Sequence, residues 1–160
     1  MQNGSGDPGF SFSGELRGQH IIGYMRLANG ASKNGMSAAE AMEERLLDFA
    51  SRVGKVVDAL PDSRLGRHFA GQLVRCGTSP APNYGEACAA ESRADFIHKL
   101  GIVLKEQRET RVWLRLAAKS KLVALKKLES LTDEATQLLN IIAKSIVTAK
   151  SNAPASRRSR

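Results

Sequence analysis

The residues with the greatest capacity for chemistry in this chain lie between positions 72 and 86, where polar side chains interrupt an apolar helical pattern. Leu65 and Phe69 begin a series with alternating four- and three-residue spacing, and Ser79, Asn83 and Glu86 end it. This spacing places the series on one side of a helix. Because an unpaired buried polar group costs about 1–3 kcal/mol, the polar half of a buried series needs hydrogen-bond partners.

The predicted structural polar network combines these side chains with charged neighbours. Its members are Gln72, Arg75, Ser79, Asn83, Glu86 and Glu109. Two interpretations are open: the network fixes the register of packed helices, or it contacts a ligand or nucleic acid. We favour the first, because buried polar groups at such positions commonly specify register.

Catalytic and metal chemistry have little support among the titratable residues. Asp95 and His98 come nearest to the Glu-x-x-His pairs of di-iron bundles, and His20 and His68 are the other histidines. Neither cysteine lies beside a recognisable base in the sequence, although a Ser-His-Asp or Cys-His assembly formed in space stays open at this point. We predict a protein that is not an enzyme and that uses no metal or cofactor.

Basic side chains offer another chemistry, the binding of phosphate. The formal net charge is +8, which attracts polyanions without defining a fold. The candidate nucleic-acid contacts are Arg64, Arg67, Arg75, Arg93, Lys99, Lys105, Arg108, Arg111, Arg115, Lys119 and Lys121. Because the sequence has no aromatic stacking platform, these residues predict binding of RNA or DNA by counterion release with little base recognition. The alternative is a structural or adaptor protein with a protein partner, whose basic residues only keep helix surfaces solvated.

Four amphipathic helices are predicted to position these residues. The first begins with a capping box in residues 37–40, and Pro61 ends it. Its apolar series is Met42, Leu46, Phe49, Val53, Val56 and Leu60. The second runs over about 64–90, and we expect a kink or a break at Pro80 and Pro82, because each proline removes a backbone donor. Glycines in this helix predict a close approach to a neighbouring helix.

The third and fourth helices are predicted from apolar series with the same spacing. The series of the third is Phe96, Leu100, Val103, Gln107, Thr110, Leu114 and Ala117. The fourth follows a basic connection over 119–127, and its series is Leu131, Ala135, Leu138, Ile142, Ser145 and Ala149. Thr132, Asp133 and Glu134 suit its start, because acidic side chains favour the positive end of a helix dipole. The predicted fold is an all-α, antiparallel up-down-up-down four-helix bundle.

A second apolar stripe on the third helix is wider than one intrachain contact requires. Its members are Ile97, Ile102, Leu104, Val112, Trp113 and Leu116. Some of them are then available for subunit contact. The alternative is that a central helix of a bundle is buried on more than one side.

The composition of the two ends differs from that of the bundle over 37–150. Residues 1–36 are rich in Gly, Ser and Asn and are predicted to be a disordered leader, and residues 151–160 a disordered basic tail. No apolar run reaches the length of a membrane span, and Cys76 and Cys88 do not form a disulfide framework. We expect a cytoplasmic protein with no membrane partner.

The second helix carries a motif that resembles a known family. Residues 72–86 read QLVRCGTSPAPNYGE, after Leu60-Pro61 and before Phe96, Leu100 and Glu109. They resemble the pattern Q-L-x-R-A-x-x-S-I-x-x-N-I-A-E-G of the four-helix bundle family founded on proteins encoded within intervening sequences of bacterial 23S ribosomal RNA. The chain keeps the Gln, Leu, Arg, Ser, Asn and Glu of the pattern, and it departs at Pro80, Tyr84-Gly85 and Ala87. The resemblance covers about residues 42–149.

The resemblance implies a homo-oligomer, expected to be a pentamer, of bundles with a basic surface and no known catalytic activity. A related branch, similar in fold, consists of accessory proteins of diversity-generating retroelements. Those proteins bind nucleic acid and a reverse transcriptase. Either branch is compatible with the motif, so nucleic acid and a protein partner are both expected partners.

Overall fold

A computed structural model describes residues 36–151, and this part of the chain contains five α-helices and no strand. The helices are α1 (Ala38–Asp58), α2 (Arg64–Thr78), α3 (Pro80–Cys88), α4 (Arg93–Lys119) and α5 (Leu125–Ser151). Helices α2 and α3 are separated by a single residue, Ser79, and together form one rod. The protein is a four-helix bundle, and the all-α prediction is confirmed. The predicted leader lies outside the described residues except for Met36, and the predicted tail lies outside them except for Ser151, the last residue of α5.

Serine caps begin three of these helices. The Ser37 hydroxyl accepts the Glu40 backbone N–H at 3.2 Å, and the Glu40 carboxylate accepts the Ser37 backbone N–H at 2.7 Å. This is the predicted capping box, which satisfies two backbone donors at the start of α1. Ser63 and Ser92 cap α2 and α4 through their hydroxyl oxygens.

The second rod breaks where its prolines begin. Ser79 keeps right-handed helical angles, with φ −59° and ψ −33°. Pro80 takes the first position of α3, where the missing N–H is tolerated. The backbone bonds from Ser79 to Arg75 and from Asn83 to Ser79 are both 3.3 Å long. The predicted kink or break is therefore confirmed: the rod divides into two helices at Ser79, although the backbone angles of Ser79 itself stay helical.

Two glycines in α2 allow the close approach that the sequence predicts. A Cβ atom added at Gly77 would lie 2.6 Å from Val53 Cγ1 on α1. A Cβ atom added at Gly66 would lie 1.9 Å from the Pro61 carbonyl oxygen. Any larger residue at these positions displaces either α1 or the connection that precedes α2, so the two glycines set the distance between the first two rods.

The register of contacts between helices defines their order in space. Arg45 on α1 pairs with Glu134 on α5, whereas Arg52, further along α1, donates to Ser130, earlier on α5. These two helices therefore run in opposite directions. Helix α1 packs on α2, α3 and α5, and α4 packs on the same three helices. This arrangement is consistent with the up-down-up-down order, with α1 and α4 on opposite sides of the bundle.

The core forms along the predicted series of three rods. Every member of the α4 series and of the α5 series is buried. In α1, Met42, Leu46, Phe49 and Val53 are buried, and the last two members of the series, Val56 and Leu60, are half-buried. Periodicity therefore identified the inward side of α1, α4 and α5 correctly.

The prediction was wrong at both ends of the second rod and at the start of α5. Leu65 is 47% exposed and Glu86 is also exposed, with no hydrogen bond among the described residues. The buried residues of α2 are instead Gly66, Phe69, Leu73, Cys76 and Gly77. Helix α5 begins at Leu125, seven residues before the predicted acidic start at Thr132, so residues 125–127 of the predicted connection are helical.

Candidate nucleic-acid interface

A row of basic side chains follows the side of α4 that faces away from the core. Positions 105, 108, 112, 115 and 119 repeat the spacing of the buried α4 series, but on the opposite side of the helix. Lys105, Arg108, Arg115 and Lys119 are all exposed, and none forms an ion pair within residues 36–151. We call these four residues the α4 stripe. They extend over about 21 Å of helix, since each residue adds about 1.5 Å.

The acidic residues of α4 do not neutralise the stripe. Asp95 pairs with Lys99 at 3.2 Å, one turn along the same helix. Glu109 pairs with Arg75 of α2 at 2.8 Å, and Glu106 is half-buried. The carboxylates of α4 therefore lie toward its packed side. Glu129 and Asp133 of α5 line the same groove as Arg115 and Lys119, but neither forms an ion pair with them.

The remaining predicted contacts differ in how accessible they are. Arg64 and Lys121 are exposed and form no ion pair in the described part of the chain, and Lys121 has a left-handed backbone with φ 54°. Arg67 pairs with a carboxylate of the α1–α2 connection. Arg93 and Arg111 are half-buried. The members of the predicted set that are exposed and form no ion pair in residues 36–151 are therefore the α4 stripe, Arg64 and Lys121, whereas Arg67 and Arg75 are exposed but paired with carboxylates.

Sequence reasoning did not include two cations of the basic connection among the candidate contacts. Lys126 and Lys127 are exposed and lie in the first turn of α5, close in the chain to Lys119 and Lys121. The signal was present, because residues 119–127 contain four lysines and no acidic residue. They were interpreted as a connection because the start of α5 was placed too late.

The predicted polar network is joined across helices in its first half only. Arg75 donates to Gln72 at 3.0 Å and to Glu109 at 2.8 Å. The Ser79 hydroxyl instead donates to the Arg75 carbonyl at 2.6 Å, and the Asn83 amide donates to the Ser79 carbonyl at 2.8 Å. Both side chains thus bond to the backbone of their own rod, as short polar side chains do where a helix is interrupted.

An aromatic cluster closes the contact between α2 and α4. The Trp113 ring lies 5.1 Å from the Phe69 ring and 5.5 Å from the His68 ring, both edge to face. Beside it, Leu65, Val112 and Leu116 are exposed. The second set of apolar residues predicted on this helix, which is separate from the basic α4 stripe, is thus divided. Its exposed members are Val112 and Leu116, and the others are half-buried.

A buried amide occupies the centre of α4. Gln107 is fully buried, and neither its Nε2 nor its Oε1 has a hydrogen-bond partner among the described residues. By contrast, the hydroxyl of Thr110, also fully buried, donates to the Glu106 carbonyl at 2.9 Å. Gln107 therefore has two buried polar atoms whose desolvation no hydrogen bond offsets among the described residues, and the Nε of the half-buried Arg111 is a third such atom.

The thiols are poor nucleophiles. Cys76 is buried and Cys88 is half-buried, and both are free. Burial raises the pKa of the Cys76 thiol, and it raises the pKa of the Cys88 thiol to about 11. A thiol with a raised pKa forms little of the reactive thiolate at neutral pH.

Residues 36–151 also contain neither a candidate metal site nor a candidate membrane-spanning helix. No group of three or more His, Cys, Asp or Glu side chains there is arranged to hold a metal ion. Among the helices described, none combines the length and the apolar composition that a membrane crossing requires.

The fold and the surface together define the class of protein: an all-α four-helix bundle with an exposed basic surface. The model of the family described as 23S rRNA-intervening sequence protein matches residues 41–144. The chain belongs to this family. The resemblance in the second helix is thereby confirmed, while the relation to retroelement accessory proteins stays a prediction.

A solved structure agrees with this assignment. The chain is similar to a protein of unknown function from the S23 ribosomal protein family of Bacteroides thetaiotaomicron, with 33% sequence identity and a TM-score of 0.62. The similarity covers 66% of this chain and 97% of that protein. No curated protein matches the chain.

Proposed function

We propose that this protein is a non-catalytic, oligomeric four-helix bundle that binds nucleic acid, RNA or DNA, along the α4 stripe. The observation that carries the proposal is the placement of Lys105, Arg108, Arg115 and Lys119 along one exposed side of α4, where none of them forms an ion pair within residues 36–151.

Binding would depend on phosphate charge more than on base identity. Each phosphate neutralised by a Lys or Arg releases counterions, so the logarithm of the association constant falls with the logarithm of the salt concentration. Four contacts on duplex DNA correspond to a slope of about −3.6 for each bound subunit. Arg64 and Lys121 would add to the attraction if the ligand extends beyond the stripe.

The experiment is fluorescence anisotropy with duplex DNA and structured RNA over a salt series. The test variant is Arg108→Gln/Arg115→Gln, and the matched control is Lys144→Gln/Lys150→Gln on α5, which removes the same charge from exposed positions. We expect the test variant to reduce the magnitude of the slope by about 1.8 and the control to leave it nearly unchanged. Equal weakening by both variants would show a bulk charge effect, and absence of binding at low salt would reject nucleic-acid binding altogether.

A protein partner is the second candidate function. Leu65, Val112 and Leu116 are exposed apolar side chains around the half-buried Trp113. Exposed apolar surface of this kind suits either an adaptor contact, for example with a reverse transcriptase, or a contact between subunits. Capture from a nuclease-treated lysate that survives in the wild type and disappears in Val112→Ser/Leu116→Ser would favour the adaptor function. Loss of capture from the wild type after nuclease treatment would favour nucleic acid.

The oligomer and the compartment are part of the proposal. The family resemblance leads us to expect a homopentamer, which would repeat the α4 stripe in every subunit. Sedimentation of the purified protein, alone and with RNA, tests both the size and the binding.

Cytoplasmic localisation is proposed because free Cys76 and Cys88 suit a reducing compartment.

A further inference from the structure

A groove between the end of α1 and the start of α5 gathers three cations that the α4 stripe does not include. The basic residues are Arg52 and Lys55 on α1 and Lys127 on α5, and Ser130 adds a hydroxyl. The remaining lining is apolar and consists of Val56, Ala59, Val123 and Leu131. The groove has a volume of about 260 Å³. It is large enough for a small anion and its first hydration shell.

No carboxylate of residues 36–151 lines this groove. Arg52 is half-buried, and its guanidinium donates to the Ser130 hydroxyl at 3.1 Å without forming an ion pair in residues 36–151. The neighbouring Glu134 of α5 is already bound by Arg45 at 2.7 Å. Asp48, one turn before Arg52, pairs with none of the groove cations. Three like charges therefore converge on one concavity without compensation.

The direction of α5 strengthens the positive field in the groove. Lys127 lies in the first turn of a 27-residue helix, and that turn has no acidic residue. Anions are favoured and cations disfavoured at this end of a helix. Glu40 and Asp95 occupy the first turn of α1 and of α4, whereas α2 and α3, like α5, have no acidic residue there. An anion in the groove would thus compensate both the positive charge of the three side chains and the positive end of the α5 dipole.

We propose that this groove binds a phosphate group. The planar guanidinium of Arg52 is suited to paired hydrogen bonds with phosphate oxygens, and the ammonium groups of Lys55 and Lys127 add charge at its rim. The Ser130 hydroxyl, already oriented by Arg52, can donate to a third oxygen. The group belongs either to a free phosphate compound or to a phosphodiester of nucleic acid. The site does not depend on the α4 stripe, which lies on the opposite side of the bundle from α1.

Calorimetric titration of the full chain with inorganic pyrophosphate tests the site. The variant is Arg52→Gln/Lys127→Gln, and the control is Lys144→Gln/Lys150→Gln, which loses the same charge elsewhere on α5. We expect pyrophosphate affinity to fall at least tenfold in the groove variant and less than twofold in the control. A thermal melt of both variants verifies the fold, and Ser130→Ala, which keeps all three cations, should weaken binding by a smaller factor. Absence of pyrophosphate binding to the wild type, or equal weakening in both double variants, would overturn the proposal.

Duplex oligonucleotides separate the two sources of phosphate. If the groove variant loses affinity for both pyrophosphate and the duplex, the site takes a phosphodiester. If it loses affinity for pyrophosphate alone, the site takes a free phosphate compound. The Arg108→Gln/Arg115→Gln variant should keep its pyrophosphate affinity, so failure of the α4 stripe in nucleic-acid binding and failure of the groove are distinguishable.

Discussion

The Arg75 guanidinium on α2 donates a 2.8 Å hydrogen bond to the Glu109 carboxylate on α4, and the same carboxylate accepts the Trp113 indole N–H at 3.4 Å. One acceptor on α4 thus holds both a cation of the neighbouring rod and the ring that closes the contact between the rods. The Arg75 side chain is 63% exposed, whereas that of Glu109 is 27% exposed. Solvent therefore screens this pair considerably.

We predict a small coupling between Arg75 and Glu109. In a double-mutant cycle with Arg75→Gln and Glu109→Gln, the coupling should be about 0.2–1 kcal/mol at low salt, because exposed pairs contribute little. It should shrink as salt is added. Urea denaturation of the four proteins measures it. A coupling above about 2 kcal/mol would mean that the pair is buried in the assembled protein, since solvent screening limits exposed pairs to smaller values.

The close approach of Gly77 to Val53 predicts that adding one methyl group at position 77 lowers the stability of the protein substantially. In Gly77→Ala the new Cβ would lie 2.6 Å from Val53 Cγ1, so the first two rods must separate or repack. We expect a loss of about 1–3 kcal/mol in the free energy of unfolding. Gly71→Ala is the matched control in the same helix, because nothing lies within 4 Å of its Cβ position. The control should stabilise the protein by up to about 1 kcal/mol, and equal effects at the two sites would contradict the observed packing.

The orphaned amide of Gln107 predicts a stabilising substitution. Gln107→Met keeps the length of the side chain and removes two polar atoms that have no partner among the described residues. Because burying such atoms is unfavourable, the free energy of unfolding should rise by about 1–3 kcal/mol. Thermal and urea denaturation measure the change. Destabilisation would instead show that the amide has a partner, such as a buried water, that the substitution removes.

Burial of the ionisable side chains on α3 predicts a loss of stability at alkaline pH. The pKa of Cys88 rises from 9.0 to about 11, mainly because burial disfavours the thiolate, and burial also raises the pKa of Tyr84. The folded protein therefore binds more protons than the unfolded chain above pH 9, so the free energy of unfolding should fall between about pH 9 and 11. In Cys88→Ala that decline should be smaller. Denaturation at a series of pH values measures it, and a flat profile over this range would contradict the burial of these groups.

The pH dependence of the thiol also affects its reactivity. With a pKa of about 11, roughly one Cys88 in a thousand is a thiolate at pH 8. Alkylation of the native protein should therefore be much slower than alkylation of the urea-unfolded chain. Similar rates in the two states would mean that Cys88 is more accessible than its position on α3 indicates.

Helical periodicity predicted the buried side of three rods correctly, but it failed at both ends of the second rod. The α4 series over 96–117 and the α2–α3 series over 65–86 span the same number of residues, and a four-three spacing drifts by about 20° per heptad on a straight helix. Helix α4 tolerates the drift because α2, α3 and α5 cover it on several sides. The second rod has its break at Ser79 and a less enclosed position, so Leu65 and Glu86 turn outward.

Local chemistry in the sequence determined the capping box at Ser37, the interruption at Pro80, the inward sides of α1, α4 and α5, and the motif that marks the family. Each of these depends on residues within a few turns of one another. The tertiary structure alone decided which cations stay unpaired, because the exposed Arg75 pairs with a residue 34 positions away and the groove joins Arg52 to residues more than 70 positions later. Charge compensation acts through space, and only the packing of the rods brings such distant side chains within hydrogen-bonding distance.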